Sequence, residues 1–289
     1  MPSLRWVNTI AWAGALSLFL ASPVMGQEWM EMRSIRQVGD ESALDVEVEF
    51  AAGEMSLRPA SSGDLYAVEL VYDADSFEPL REWRRENEVG FLKVGIDTDH
   101  LNLGEWKDLD RAPARLELEL GTEVPTALQI MVGAAESDLD LGGVPLTELT
   151  LHTGASETKL RFEKPNPVRM ERMELRVGAA DFQVVQLGNA RFDSFDFAGG
   201  VGDVMLDFTG DWEGDATARI KLTLGSLTLR IPADIGVKIT KSTVLTSFET
   251  SGFQKIDGGY ESENWDDASE HLELHIDTKF GSVEVERVY

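Results

Sequence analysis

Short bursts of alternating apolar and polar residues run through the middle of the chain, and each burst is interrupted by a small residue. Units that start at Gly133, Gly154, Gly178, Gly200 and Thr223 repeat at intervals of about 22 residues, the spacing of proteins that stack one supersecondary unit on the next. A further unit starts at Lys279. The fifth, seventh and ninth positions of the five regular units form an alternating set: Ser137, Leu139, Leu141; Thr158, Leu160, Phe162; Phe182, Val184, Gln186; Val204, Leu206, Phe208; Leu227, Leu229, Ile231. A second set precedes each small residue, as in Leu128, Ile130, Val132 and in Met173, Leu175, Val177. Period two predicts strands with one buried and one exposed face. Two short parallel strands per unit, bent at a glycine that tolerates positive φ, predict an all-β, β-solenoid-like body. A β-sandwich with accidental self-similarity is the competing architecture. The agreement of corner and apolar positions through five consecutive units favours the solenoid.

The same register predicts a ladder of outward charges. Parallel stacking at roughly 4.8 Å places Asp140 beside Arg161, Asp138 beside Lys159 and Asp207 beside Arg230. Upstream, residues 27–42 read as polar and extended, and Leu44–Phe50, Tyr66–Tyr72 and Leu92–Ile96 as strands. "REWRRENEVG" from Arg81 reads as a charged loop, and "EWKDLDRAPAR" as a junction. The expected organisation is a signal peptide over 1–26, an N-terminal segment over 27–110 and a repeat body over 111–289. Gly, Asn, Asp and Ser clusters in residues 233–271 predict a long loop or cap there, before a closing hairpin-like unit with Gly281 at its corner.

Charge and the N-terminus narrow the setting. The 289 residues carry 52 acidic and 26 basic side chains, a formal net charge of −26. Such a surface repels nucleic acid, so no nucleic-acid partner is expected. Arg5, an apolar run from Ile10 to Val24 and small residues Val24 and Gly26 make a secretory signal with cleavage near Gly26. The run is shorter than a bilayer span of about 20 residues, so no transmembrane helix is expected in the mature chain. The chain has no Cys, which excludes disulfides and acylation at a cysteine. An extracytoplasmic location, periplasmic or secreted, follows as the expectation.

The stretches "LGNARFDSFDFAGGVGDVMLDFTG" and "LGSLTLRIPADIGVKI" resemble the toast-rack family of bacterial envelope proteins, related to the C-terminal domain of LiaF-type stress proteins and to adhesin-like domains. The matching pattern is a small-residue corner, an alternating strand and a Pro-containing exit, carried by Gly200 to Phe208 and by Gly225, Leu227, Leu229, Ile231 and Pro232. "GEMSLRPASSGDLYAVELVYDA" from Gly53 resembles the family's N-terminal segment. The resemblance runs from about Ala43 onward. It implies a single-sheet-wound solenoid-like fold outside the cytoplasm and does not imply an enzyme.

Candidate chemistry is sparse. No G-x-S-x-G, H-E-x-x-H, P-loop or dinucleotide fingerprint occurs, so no catalytic residue and no cofactor is expected. His271 and His275 fall in a strand pattern, where four residues span about 13 Å and cannot share an ion. Asp211, Glu213 and Asp215 are weak metal candidates in a turn that lacks the EF-hand's glycine and terminal acid. Trp83, Trp106, Trp212 and Trp265 fall in segments read as loops, where exposed rings would stack on a partner and covered rings would close an end of the stack. The functional expectation is a non-catalytic exported scaffold or adhesin-like protein, presenting a surface to an envelope protein or cell-wall polymer, with a role in envelope stress. The alternative is a polysaccharide-active or calcium-dependent carbohydrate-binding solenoid.

Overall fold

A computed structural model describes residues 29–61, 63–97 and 114–289. The signal segment, Trp106 and most of the junction before Ala114 lie outside the described residues. Among the described residues, fifteen strands form one sheet. In chain order they are β1 (Trp29–Gln37), β2 (Ala43–Pro59), β3 (Asp64–Asp73), β4 (Pro79–Glu86), β5 (Val89–Ile96), β6 (Ala114–Leu120), β7 (Thr126–Asp140) and β8 (Leu146–Arg161). There follow β9 (Met170–Val185), β10 (Phe192–Asp207), β11 (Ala216–Pro232), β12 (Gly236–Thr250), β13 (Phe253–Ile256), β14 (Gly259–Ser262) and β15 (His271–Val288).

The two short strands predicted in each unit are two arms of one continuous strand. Burial explains how one strand faces a single interior on both arms. Beyond Met170 at its start, the buried apolar positions of β9 are Met173, Leu175 and Val177 before the corner, then Phe182 and Val184 after it. The alternation changes phase at the corner, from odd to even positions, and the same shift recurs in β7, β8, β10, β11 and β15. Without it the second arm would turn its apolar face to solvent. The arms then pack against each other: the rings of Phe182, on the second arm of β9, and Phe197, on the first arm of β10, lie 5.8 Å apart. Leu139, Leu160, Val184, Leu206 and Leu229 are fully buried and in mutual register through consecutive strand pairs.

Stacking at the corner demands small residues. A Cβ on Gly154 would sit 2.6 Å from the Gly133 carbonyl oxygen, one on Gly178 the same distance from that of Gly154, and one on Gly200 2.4 Å from that of Gly178. At the other end of each coil two buried asparagines tie successive turns together. Asn166 donates to the carbonyls of Leu146 (2.8 Å) and Ala190 (3.3 Å), and Asn189 donates to that of Phe162 (2.7 Å).

Three expectations are corrected. The segment around Arg81 is a strand: β4 and β5 pair antiparallel, with the tight turn at Asn87 between them. Its outward charges had masked the pairing. The stretch 233–271 holds three strands rather than a loop, because β12 runs parallel to β15 and carries the β13–β14 hairpin on its first arm. Finally, β15 is no closing hairpin. It is a full rung inserted between β11 and β12, so strands consecutive in sequence are separated in the sheet.

Candidate functional site

The residue after each corner glycine points outward, and in the N-terminal rungs it is small: Ala155 pairs with Ala179, which pairs with Val201. The row then grows, with Val201 opposite Leu224, Leu224 opposite Phe280 and Phe280 opposite Leu245. These four are 50%, 47%, 45% and 71% exposed, and Val244 beside Leu245 is exposed as well. Strand spacing of roughly 4.8 Å makes them a continuous apolar ridge on the convex corner, where isolated apolar residues would be unremarkable. Sequence reasoning compared other positions of the unit and missed this row. The signal was present at the second position of each unit, as Ala155, Ala179, Val201, Leu224 and Phe280.

Of the candidate tryptophans, the three within the described residues are tied down. Trp83 lies in β4 rather than in a loop, 5.5 Å from the Tyr66 ring and under the Arg36 guanidinium. Trp212 donates its indole N–H to the Phe208 carbonyl (2.7 Å) and meets Phe192 edge-on. Trp265 has the Lys238 ammonium 3.8 Å over its ring and His271 against its edge. All three are half-buried, each with another ring or a cation already packed against it.

The acidic turn is likewise satisfied internally. Arg191 holds Asp211 (3.3 Å) and Glu213 (2.9 Å), while Asp215 faces His271 Nδ1 (3.1 Å). Among the described residues no three His, Asp or Glu side chains are placed to hold a metal ion together. His275 lies on the same strand as His271 and meets Thr240 instead.

Most outward charges pair locally. The expected neighbours Asp140 and Arg161 are in register, yet Arg161 reaches diagonally to Asp138, while Asp140 accepts the backbone N–H of Gly142 (2.9 Å). A carboxylate two residues ahead of a turn satisfies that N–H, and this competes with the cross-strand pair. Asp207 and Arg230 do pair, at 3.2 Å. Burial pushes the Glu174 carboxyl up, but Arg176 and Arg172 outweigh it and hold the group below the usual carboxylate range, with His152 adding to the effect. Lys93 is raised by its hydrogen bond to Glu49, against the opposing pull of burial, with Glu47 adding to the rise. An open groove of about 510 Å³ beside Lys93 is lined by Asp45, Glu47, Arg84, Phe91 and Glu148. Its cations are engaged locally, Lys93 with Glu47 at 3.1 Å and Arg84 over Phe91.

Bent parallel strands stacked on glycine corners, with an exposed apolar ridge along those corners, define an all-β repeat protein. The chain belongs to the toast-rack family: residues 26–171 match the N-terminal domain of toast-rack. Residues 182–285 match the C-terminal domain of LiaF, described as a cell wall-active antibiotics response protein. No curated protein matches the chain. Among solved structures, a candidate cell adhesion protein of Clostridium sporogenes is similar at 16% identity, over 90% of this chain and all of that one, with a TM-score of 0.50. A candidate adhesin of Bacteroides fragilis is similar at 9% identity, over 90% of this chain and 98% of that one, with a TM-score of 0.34. The first of these likenesses is of fold. No helix among the described residues is long and apolar enough to cross a membrane.

Proposed function

We propose that the protein is a non-catalytic scaffold of the bacterial cell envelope, exported by its N-terminal signal, which presents the convex corner to a protein partner. One observation carries this: the in-register exposed row of Val201, Leu224, Phe280 and Leu245. Contiguous exposed apolar surface of this kind is kept where something covers it. Val201, Leu224 and Leu245 offer a sugar no hydrogen bond and Phe280 is the row's single ring, so the ridge favours a protein over a polysaccharide. The match of residues 182–285 to a domain described as cell wall-active antibiotics response supports the same setting.

The test is co-sedimentation of the purified protein with isolated envelope fractions, run beside titrations against cell-wall polymers and a polysaccharide panel, with and without calcium. Envelope binding that is lost in the double variant Leu224→Ser/Phe280→Ser, with unchanged circular dichroism, supports the proposal. Release of a cleaved product, or calcium-dependent binding to a polysaccharide that the double variant retains, overturns it.

A further inference from the structure

The two layers of the stack do not end together. In the layer of first arms, β14 pairs with β12 at Lys238–Thr240 and β13 pairs with β14, so the sheet continues two strands beyond β12. In the layer of second arms, the strand beyond β15 is β12, and among the described residues nothing pairs with the far edge of Ser242–Thr250. The hairpin leans over this gap: Tyr260 on β14 stacks on Phe248 of the second arm, with ring centroids 5.6 Å apart. A place one strand wide is therefore left between a free backbone edge and the inner face of the hairpin.

This edge lacks the charges that line the free edges β1 and β4. β1 carries Glu31, Arg33 and Arg36, and β4 carries Arg81, Glu82, Arg84, Arg85 and Glu86. Ser242–Thr250 reads STVLTSFET, with no Pro, no Gly, no Lys and one charge, at Glu249. Natural edge strands avoid such composition because unpaired N–H and C=O groups recruit another strand. The Thr246 hydroxyl on this edge strand is buried without a hydrogen-bond partner. Two cations flank the gap, although Glu249 lies on the edge strand itself, beside Glu284 of β15. Lys241 lies 4.1 Å from the Phe248 ring centroid, Lys255 shares the inner hairpin face with Tyr260, and neither makes an ion pair among the described residues.

We propose that this edge receives an extended segment of a partner protein as an added β-strand, with alternating β-branched side chains and at least one carboxylate. The inference rests on the reading of the protein as a partner-binding scaffold. Backbone hydrogen bonds supply the pairing, and Lys241 and Lys255 select the acidic segment. A second copy of this chain is disfavoured, because its own β13–β14 hairpin would have to occupy the same space as the first.

The probe is a labelled nine-residue peptide of alternating Thr and Val with two Glu substitutions, compared with versions carrying Lys for Glu or Pro at the centre. Anisotropy titration is combined with amide hydrogen exchange and sedimentation velocity. Saturable binding of the Glu peptide, slowed exchange confined to Ser242–Thr250 and no binding of the Pro peptide are expected. The Lys peptide binds about tenfold more weakly, and Lys241→Glu reverses that preference. Absence of saturable binding, protection elsewhere, or a wild-type dimer already protected over Ser242–Thr250 without peptide overturns the inference. Envelope co-sedimentation that survives such a result leaves the scaffold reading standing. Because Leu245 belongs to both ridge and edge, peptide binding retained by Leu224→Ser/Phe280→Ser supports pairing at the backbone edge, and its loss overturns the inference.

Discussion

Substitution of the corner glycines separates two costs that coincide at Gly225. Its φ is +137°, and an added Cβ would lie 1.8 Å from the Gly202 carbonyl oxygen, a backbone atom within the β10–β11 pairing. Gly200 has the close approach without positive φ, with 2.4 Å to the Gly178 oxygen. Gly258 has positive φ, +83°, and nothing within 4 Å. Ala in a left-handed conformation costs about 1 kcal/mol, which is the whole expected effect of Gly258→Ala. Ala at Gly200 must displace a carbonyl held by its neighbours, and overpacking with a weakened ladder bond costs about 2 kcal/mol. Gly225→Ala incurs both and is expected to lose about 3–5 kcal/mol. Equilibrium urea unfolding of the three variants at one pH reads the order directly. If Gly225→Ala is no less stable than Gly258→Ala, the corner does not depend on backbone approach, and the stacking argument is wrong.

Asn166→Ala should cost about 2–4 kcal/mol in the same assay, since it leaves the buried Leu146 carbonyl without its side-chain donor and removes the tie to Ala190. Arg161→Gln should cost at most about 1 kcal/mol, because its partner Asp138 is well exposed; a larger loss in urea would show a coupled network. The Glu174 carboxyl is held below its ordinary value of 4.5, so its contribution is present above that value and is lost as pH falls through the folded pKa. Glu174→Gln should therefore flatten the acid limb of a plot of urea midpoint against pH and lower the plateau near pH 7. An unchanged acid limb counts against the assignment.

The repeat was legible where side chains report one interior. Leu139, Leu160, Val184, Leu206 and Leu229 alternate with polar residues because each is buried on one face, and the register they imply is the register observed. Legibility ended where burial no longer alternates. The second arm of β12 covers no deep core, so STVLTSFET carried no period-two signal, and β4 exposes most of its side chains. The insertion of β15 between β11 and β12 could not be read at all, since pairing partners are set by the sheet and not by either strand's own pattern. The apolar ridge was written in the sequence, one residue past each corner, but an outward apolar row has the same letters as a core and is told apart only by which side it faces.

The placement of β15 also orders events during synthesis. Every rung from β8 to β11 can dock on the strand made just before it, as soon as it emerges. β12 cannot, because its parallel partner is translated after it and must first lie down on β11. Until that happens, β12 and its hairpin have no parallel neighbour, and Leu227, Leu229 and Ile231 sit at the exposed margin of an unfinished stack. Completion of the structure therefore waits on the latest-made rung, and interruption of the chain before His271 would release a protein open along its core.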